Sequence, residues 1–206
     1  MLDFWFAQYK NETFLEIFLE ITAALLGLAS VWYSKKNNIL VFPTGLVNTA
    51  IYAYLFWKWS LLGDSMINVY YFVMSLYGWY LWQQKSNQAD LPVTMMDKSD
   101  RQKALLLFLG ALVFVITVYL FVHKLTNWMS YVDTLITGLF FVGMWLMAKK
   151  KIENWLFWIV GDIISVPLYF IKGYTVTSLQ YFIFTIIAFY GFLEWKKILN
   201  KTNPIS

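Results

Sequence analysis

Residues 155–171 read WLFWIVGDIISVPLYFI, seventeen positions with a single charge, long enough to cross a bilayer's hydrocarbon as a helix. Six further runs have the same character: Phe14 to Tyr33, Ile39 to Trp57, Met66 to Trp82, Ala104 to Val122, Tyr131 to Ala148 and Val176 to Leu193. Charged residues are only 14% of the 206, against about a quarter in soluble domains. Lipid is therefore the solvent in which the chain must be read. The fold class that follows is an all-α integral membrane protein of seven transmembrane helices, one compact bundle without a separate water-soluble domain.

Basic loops resist translocation, so lysine and arginine set the orientation. The N-terminal side carries Lys10, Lys58, Lys124 and Lys172. The opposite side carries Lys35, Lys36, Lys85, Lys98, Arg101, Lys103, Lys149, Lys150, Lys151, Lys196, Lys197 and Lys201, twelve against four. This predicts an outer N-terminus and a cytoplasmic C-terminus, and the net charge of +4 then needs no nucleic-acid partner. Residues 1–13 lack the basic start and small-residue cleavage site of a secretory signal and read as an interfacial segment.

The last third of the chain repeats the first. Setting Asn38 against Asn154 also pairs Phe42 with Trp158, Gly45 with Gly161 and Tyr54 with Phe170. A three-residue adjustment then pairs Ser65 with Ser178, Tyr77 with Tyr190, Gly78 with Gly191 and Trp82 with Trp195. The organisation expected is a three-helix unit over 14–82, a cytoplasmic linker over 83–103 and a connecting helix over 104–122. A second three-helix unit with its preceding loop then fills 123–195, and 196–206 is a cytoplasmic tail. One connecting helix returns the second unit to the orientation of the first, so the repeats are parallel (3+1+3).

Polar side chains within the spans are costly and so face a cavity or one another. Trp155, Trp158, Asp162 and Tyr169 form one stripe at helical spacing. Asp162 either accepts hydrogen bonds from a solute, or balances its charge, while the indoles stack on a flat ring, or it ties two helices together. The second span offers Thr44, Gly45, Asn48 and Tyr52, the third Asn68, Tyr71 and Ser75, the seventh Gln180, Tyr181 and Thr185. By the repeat Asn68 meets Tyr181, which places the amides of Asn68 and Gln180 at neighbouring positions in the two units and suggests one asymmetric pocket between them. Amides both donate and accept, which suits a carboxamide or sugar hydroxyls. Pro43 and Pro167 are expected to kink their helices.

The sequence has no cysteine and one histidine, His123, which excludes thiolate chemistry and a histidine-rich metal site. It lacks a phosphate-cradling glycine loop and a nucleophile motif, so no cofactor and no enzymatic chemistry are expected.

The run Glu153-Asn154-Trp155 with Trp158, Asp162, Tyr169, Lys172-Gly173, Gln180-Tyr181, Tyr190-Gly191 and Trp195 resembles the C-terminal half of the PnuC family of bacterial nicotinamide riboside carriers. The likeness extends through Asn68 to Trp82 and covers the chain from about Glu20 onward. It implies uptake of nicotinamide riboside down its gradient across the inner membrane by alternating access, a separate cytoplasmic kinase that traps it, and a homotrimer with one path per protomer. On this resemblance Trp155, Trp158 and Tyr181 would contact the ring, and Asn48, Asn68, Asp162 and Gln180 the polar groups. Relatives of the same fold are thought to carry thiamine or riboflavin, and a seven-helix ligand sensor is the alternative from another class.

Overall fold

A computed structural model describes residues 13–59, 62–84, 91–123, 125, 127–173 and 175–202. The expected interfacial segment therefore lies outside the described residues, apart from Thr13. Seven helices follow in order: α1 Phe14–Lys35, α2 Val41–Lys58, α3 Leu62–Gln83, α4 Lys98–Phe121, α5 Trp128–Ala148, α6 Asn154–Ile171 and α7 Thr175–Thr202. Local chemistry sets their ends. Thr13 and Glu16 form a capping box at α1, and Asp97 and Asp100 do the same at α4. Left-handed residues stop α1 at Asn37 and α5 at Lys150, both with φ of 51°, where the chain must turn back into α2 and α6.

Four helices, α1, α4, α5 and α6, are long and apolar enough by composition alone to cross a membrane. The other three, at 18, 22 and 28 residues, have the length but are diluted by groups such as Thr44, Asn48, Asp64, Asn68 and Gln180. These are the helices expected to face a polar interior. Large apolar side chains of α4, among them Leu105, Leu106, Leu109 and Val113, point outward, as a lipid solvent permits.

Helices α1–α3 and α5–α7 form two halves with reciprocal contacts: α1 packs on α7, α3 packs on α5, and α4 lies mainly against α5. Two buried indoles make the crossing. Trp195 Nε1 donates to the Ser34 carbonyl at 2.9 Å, and Trp82 Nε1 donates to the Ala148 carbonyl at 3.1 Å. The C-terminal ends of α1, α3, α5 and α7 therefore share one side, so the halves run in the same direction, as parallel repeats must.

The register of the repeat differs from the sequence alignment. Phe42 meets Trp82 edge-to-face at 5.0 Å and Trp155 meets Trp195 likewise at 5.6 Å. Gly78 and Gly191 each leave the gap that Phe42 and Trp155 fill. Ser65 bonds the Ala53 carbonyl and Ser178 the Val166 carbonyl. Each pair keeps one offset of 113 residues (155 less 42, 195 less 82). Phe42 thus corresponds to Trp155 rather than Trp158, and no three-residue adjustment occurs. The match of Gly45 with Gly161 had shifted α2 by about one turn, which leaves residues on nearly the same face and so hides the error.

Two further expectations change. Pro43 sits in the first turn of α2, where its missing N–H has no intrahelical partner to lose; Pro167 alone lies inside a helix. The polar linker is also less independent than its composition suggests. Helix α3 runs to Gln83, α4 begins at Lys98, residues 85–90 lie outside the described residues, and Leu91–Asp97 is docked. Thr94 pairs with the α5–α6 turn, its amide donating to Lys150 O at 3.0 Å and its carbonyl accepting from Ile152 at 2.9 Å. Val93 is buried in the main core. Buried Asp100 pairs with Lys149, and with Lys151 at 2.8 Å. Burial alone would raise its carboxyl, but the two ammonium groups hold it down to about 2. Finally, α7 continues to Thr202, so much of the expected tail is helix.

Candidate functional site

The stripe expected on α6 divides along its length. At the N-terminal end of α6 Trp155 is 1% exposed, wedged over Gly191, where an added Cβ would lie 2.6 Å from its ring. Its indole N–H has no partner among the described residues, and neither has the side-chain oxygen of buried Asn154. Trp155 is therefore part of the wall between the halves, in the place Phe42 takes in the first half.

One turn on, Trp158 turns toward α5. It lies against Gly143, and its ring is 5.1 Å from Phe140 at 31°. Phe140 in turn stacks on Tyr181 of α7 at 6.1 Å and 13°, and Tyr181 stacks on Tyr169 of α6 at 5.1 Å and 28°. Tyr71 closes the group from α3, set edge-to-face against Phe141 at 6.1 Å. Its neighbour Tyr70 fastens α3 to α5 by stacking on Phe141 at 3.9 Å and donating to the Phe141 carbonyl at 2.9 Å. The result is a cage of aromatic rings fed mainly by the second half, with one wall from α3 of the first.

Asp162 lies in this cage, 3% exposed. It stands one turn beyond Trp158 on α6, next to Gly161, against which the Phe140 ring lies. No described residue gives it a hydrogen bond or an ion pair. Counted from Asn154 it lies about 12 Å into the helix at 1.5 Å per residue. The cations of α2 and of the α6–α7 turn do not serve it, because Lys58 pairs with Glu16 at 3.0 Å and Lys172 with Asp133.

The remaining expected residues are spread around this centre. Gln180 is half-buried beside Tyr181 with no hydrogen bond among the described residues. Asn68 lies one turn before Tyr71 on α3; its amide nitrogen donates to the Asp64 carbonyl at 2.9 Å, and its oxygen is unengaged among the described residues. Asn48 stands apart. Its amide donates to Ala23 O at 2.6 Å and fills the space over Gly27, tying α2 to α1. The structure thus brings Trp158, Asp162 and Tyr181 together, sets Asn68 one turn before Tyr71 on α3 and Gln180 next to Tyr181 on α7, and leaves Trp155 and Asn48 in packing positions. Phe140 escaped the sequence reading, since nothing distinguishes it within an apolar run; the one signal is Gly161 on the facing helix, where a Cβ would overlap its ring. Among the described residues no group of three or more His, Cys, Asp or Glu is placed to hold a metal. A carboxylate ringed by aromatic faces is suited to a flat organic cation.

Comparison with known proteins bears on this geometry. The family profile described as nicotinamide mononucleotide transporter matches residues 17–197. Among characterised proteins, the nicotinamide riboside transporter PnuC of Escherichia coli is 25% identical over 201 residues, covering 86% of this chain and 84% of that protein. PnuC of Neisseria mucosa is 26% identical over 196 residues, covering 89% and 73%. The riboflavin/roseoflavin transporter RibM of Streptomyces davaonensis is 23% identical over 181 residues, covering 87% and 84%. A crystal structure of the vitamin B3 transporter PnuC shares the fold, with a TM-score of 0.65 at 24% identity over 89% of this chain and 83% of that one.

Proposed function

Because the chain belongs to the nicotinamide mononucleotide transporter family, a family of multi-pass bacterial inner-membrane transporters rather than enzymes, we propose that it carries nicotinamide riboside into the cytoplasm. The observation that carries this reading is Asp162, a buried carboxylate with no hydrogen bond or ion pair among the described residues, set among Phe140, Trp158, Tyr71 and Tyr181. The substrate's pyridinium ring stacks on those faces. Its carboxamide takes the unengaged oxygen of Asn68 or the side-chain amide of Gln180, and its ribose takes what the ring leaves. The names of the PnuC relatives support the riboside.

The mononucleotide in the family's description would bring a phosphate, and phosphate needs cations. Lys58 and Lys172 are already neutralised by acids, and Asp162 would repel the added charge. This favours the nucleoside. Passage follows rocking of the two parallel halves about the cage, with the Trp82 and Trp195 bonds closing the cytoplasmic end in the conformation described here. Uptake is downhill, and phosphorylation by a separate kinase retains the product. The outer N-terminus and cytoplasmic C-terminus rest on the lysine and arginine asymmetry. The homotrimer rests on the family resemblance and is checked by cross-linking in native membranes.

Uptake of labelled nicotinamide riboside into proteoliposomes tests the function. Saturable accumulation blocked by unlabelled riboside is expected. Saturable uptake of riboflavin, which the RibM relative is named for, with none of the riboside would replace the substrate. Binding without accumulation would make the protein a sensor.

A further inference from the structure

The second half departs from the first at the centre of the cage, and the departure is chemical. The residue at the position of Asp162 in the first half is Thr49, at the same 113-residue offset (162 less 49). Thr49 is also buried, and it satisfies its hydroxyl on its own helix by donating to Gly45 O at 2.8 Å. The backbone frame at this position is therefore content with a small, self-satisfied side chain. Packing does not require a carboxylate there. Nor does the surrounding polar chemistry. Ser165, one turn further along α6, donates to Gly161 O. A buried carboxylate with no hydrogen bond or ion pair among the described residues is costly to keep charged, and a cationic solute beside it offsets that cost.

Resting on the transport reading above, we infer that Asp162 is the specificity-determining residue that selects the charge of the ring. The site takes the cationic pyridinium nucleoside and discriminates against a neutral ring of the same size, carboxamide and ribose. The aromatic faces alone do not draw this distinction sharply, because stacking accepts either ring. The cationic ring gains twice: from the quadrupoles of Trp158, Tyr181 and Phe140, and from the carboxylate it neutralises. The neutral ring leaves Asp162 as it was, and displaces whatever water reaches it.

The two-electron reduced form of the riboside, a neutral dihydropyridine, is the probe. In proteoliposomes of the full-length protein it is set against unlabelled oxidised riboside as a competitor of labelled uptake. The oxidised form is expected to compete about tenfold or more better, the order of a desolvated cation–π contact. Asp162→Asn, close in shape, is expected to raise KM for the oxidised form by about tenfold while the potency of the reduced form stays within about threefold. Equal competition by the two forms at the native protein overturns the inference without the variant, and so settles the matter even where Asp162→Asn does not insert. Native KM in a well-inserted Asp162→Asn overturns it too, while leaving riboside transport standing. Failure of the native protein to take up or bind the oxidised riboside brings down the transport reading and this inference with it.

Discussion

The two halves share a backbone frame and divide their side chains in opposite ways. Near the end where α2 and α6 begin they are almost interchangeable: Phe42, Gly78 and Trp82 in one, Trp155, Gly191 and Trp195 in the other, with the same edge-to-face geometry. Deeper in, volumes are exchanged. The first half sets small Gly27 against larger Asn48 and Ser30 against Gly45, whereas the second sets large Phe140 against Gly161 and Gly143 against Trp158. The end that closes must be symmetric, because each third helix locks onto the opposite first helix. The centre need not be, because an asymmetric solute needs one orientation. The halves share the frame and differ at mid-depth, where the candidate site lies.

The symmetric end can be broken most severely. A Cβ at Gly191 would sit 2.6 Å from the Trp155 ring, and one at Gly78 would overlap Phe42. Both rings are buried and cannot withdraw without moving a helix. Gly78→Val and Gly191→Val are each expected to cost about 3 kcal/mol, at the upper end of overpacking penalties, and to lower the melting temperature in detergent to a similar extent. A large effect in one and none in the other would show that the two ends are not equivalent.

The asymmetric centre is tested by uptake. Trp158→Ala removes a cage wall and is expected to raise KM by about tenfold to a hundredfold, corresponding to 1.4–2.8 kcal/mol. Asn48→Ala is expected to leave KM within about twofold and to lower stability by about 1 kcal/mol, because its amide is spent on Ala23. A reversed pattern, with Asn48 controlling KM and Trp158 only stability, would move the site into the first half.

This contrast also explains what was readable beforehand. Seven spans, the parallel repeat and the Trp158–Asp162–Tyr181 group follow from apolar run length and helical spacing, which are local properties. The register did not, because an error of about one turn preserves the face and Gly45 happened to match Gly161. Phe140 was invisible since its role depends on a glycine in another helix. The burial of Val93 was hidden inside a polar linker whose docking is decided by distant Lys149 and Lys151.

Among the described residues that docking has no counterpart in the first half, and it sharpens the comparison through pH. The Asp100 carboxyl, held down to about 2 in the fold by Lys149 and Lys151, ionises more readily there than at its ordinary value near 4. Its stabilisation is therefore full above about pH 4 and lost as pH falls toward 2. Asp100→Asn is expected to remove about 1–2 kcal/mol at neutral pH, the range for a charge-assisted bond. Faster hydrogen exchange at the Ile152 amide, whose bond to Thr94 O depends on the docked segment, would register it. Unchanged exchange would mean that Val93 burial alone holds the segment.

The smallest effect tests the reciprocal lock itself. Trp82 and Trp195 each donate one hydrogen bond to a carbonyl of the opposite half, and their rings lie 6.2 Å apart. Trp82→Phe and Trp195→Phe keep most of the ring volume and delete the donor, so each is expected to cost about 1 kcal/mol. On the rocking proposed above both bonds are lost when this end opens, so that loss falls on the closed conformation alone and raises the open-to-closed ratio about fivefold for either variant. A thiol-reactive probe on a single cysteine introduced at Tyr71, a cage residue, and presented from the side of these indoles, would read the shift as faster labelling. The double variant is expected to multiply the two increases if the bonds act independently. Less than multiplicative labelling would mean that breaking one bond already releases the other, and that the two indoles work as a single catch.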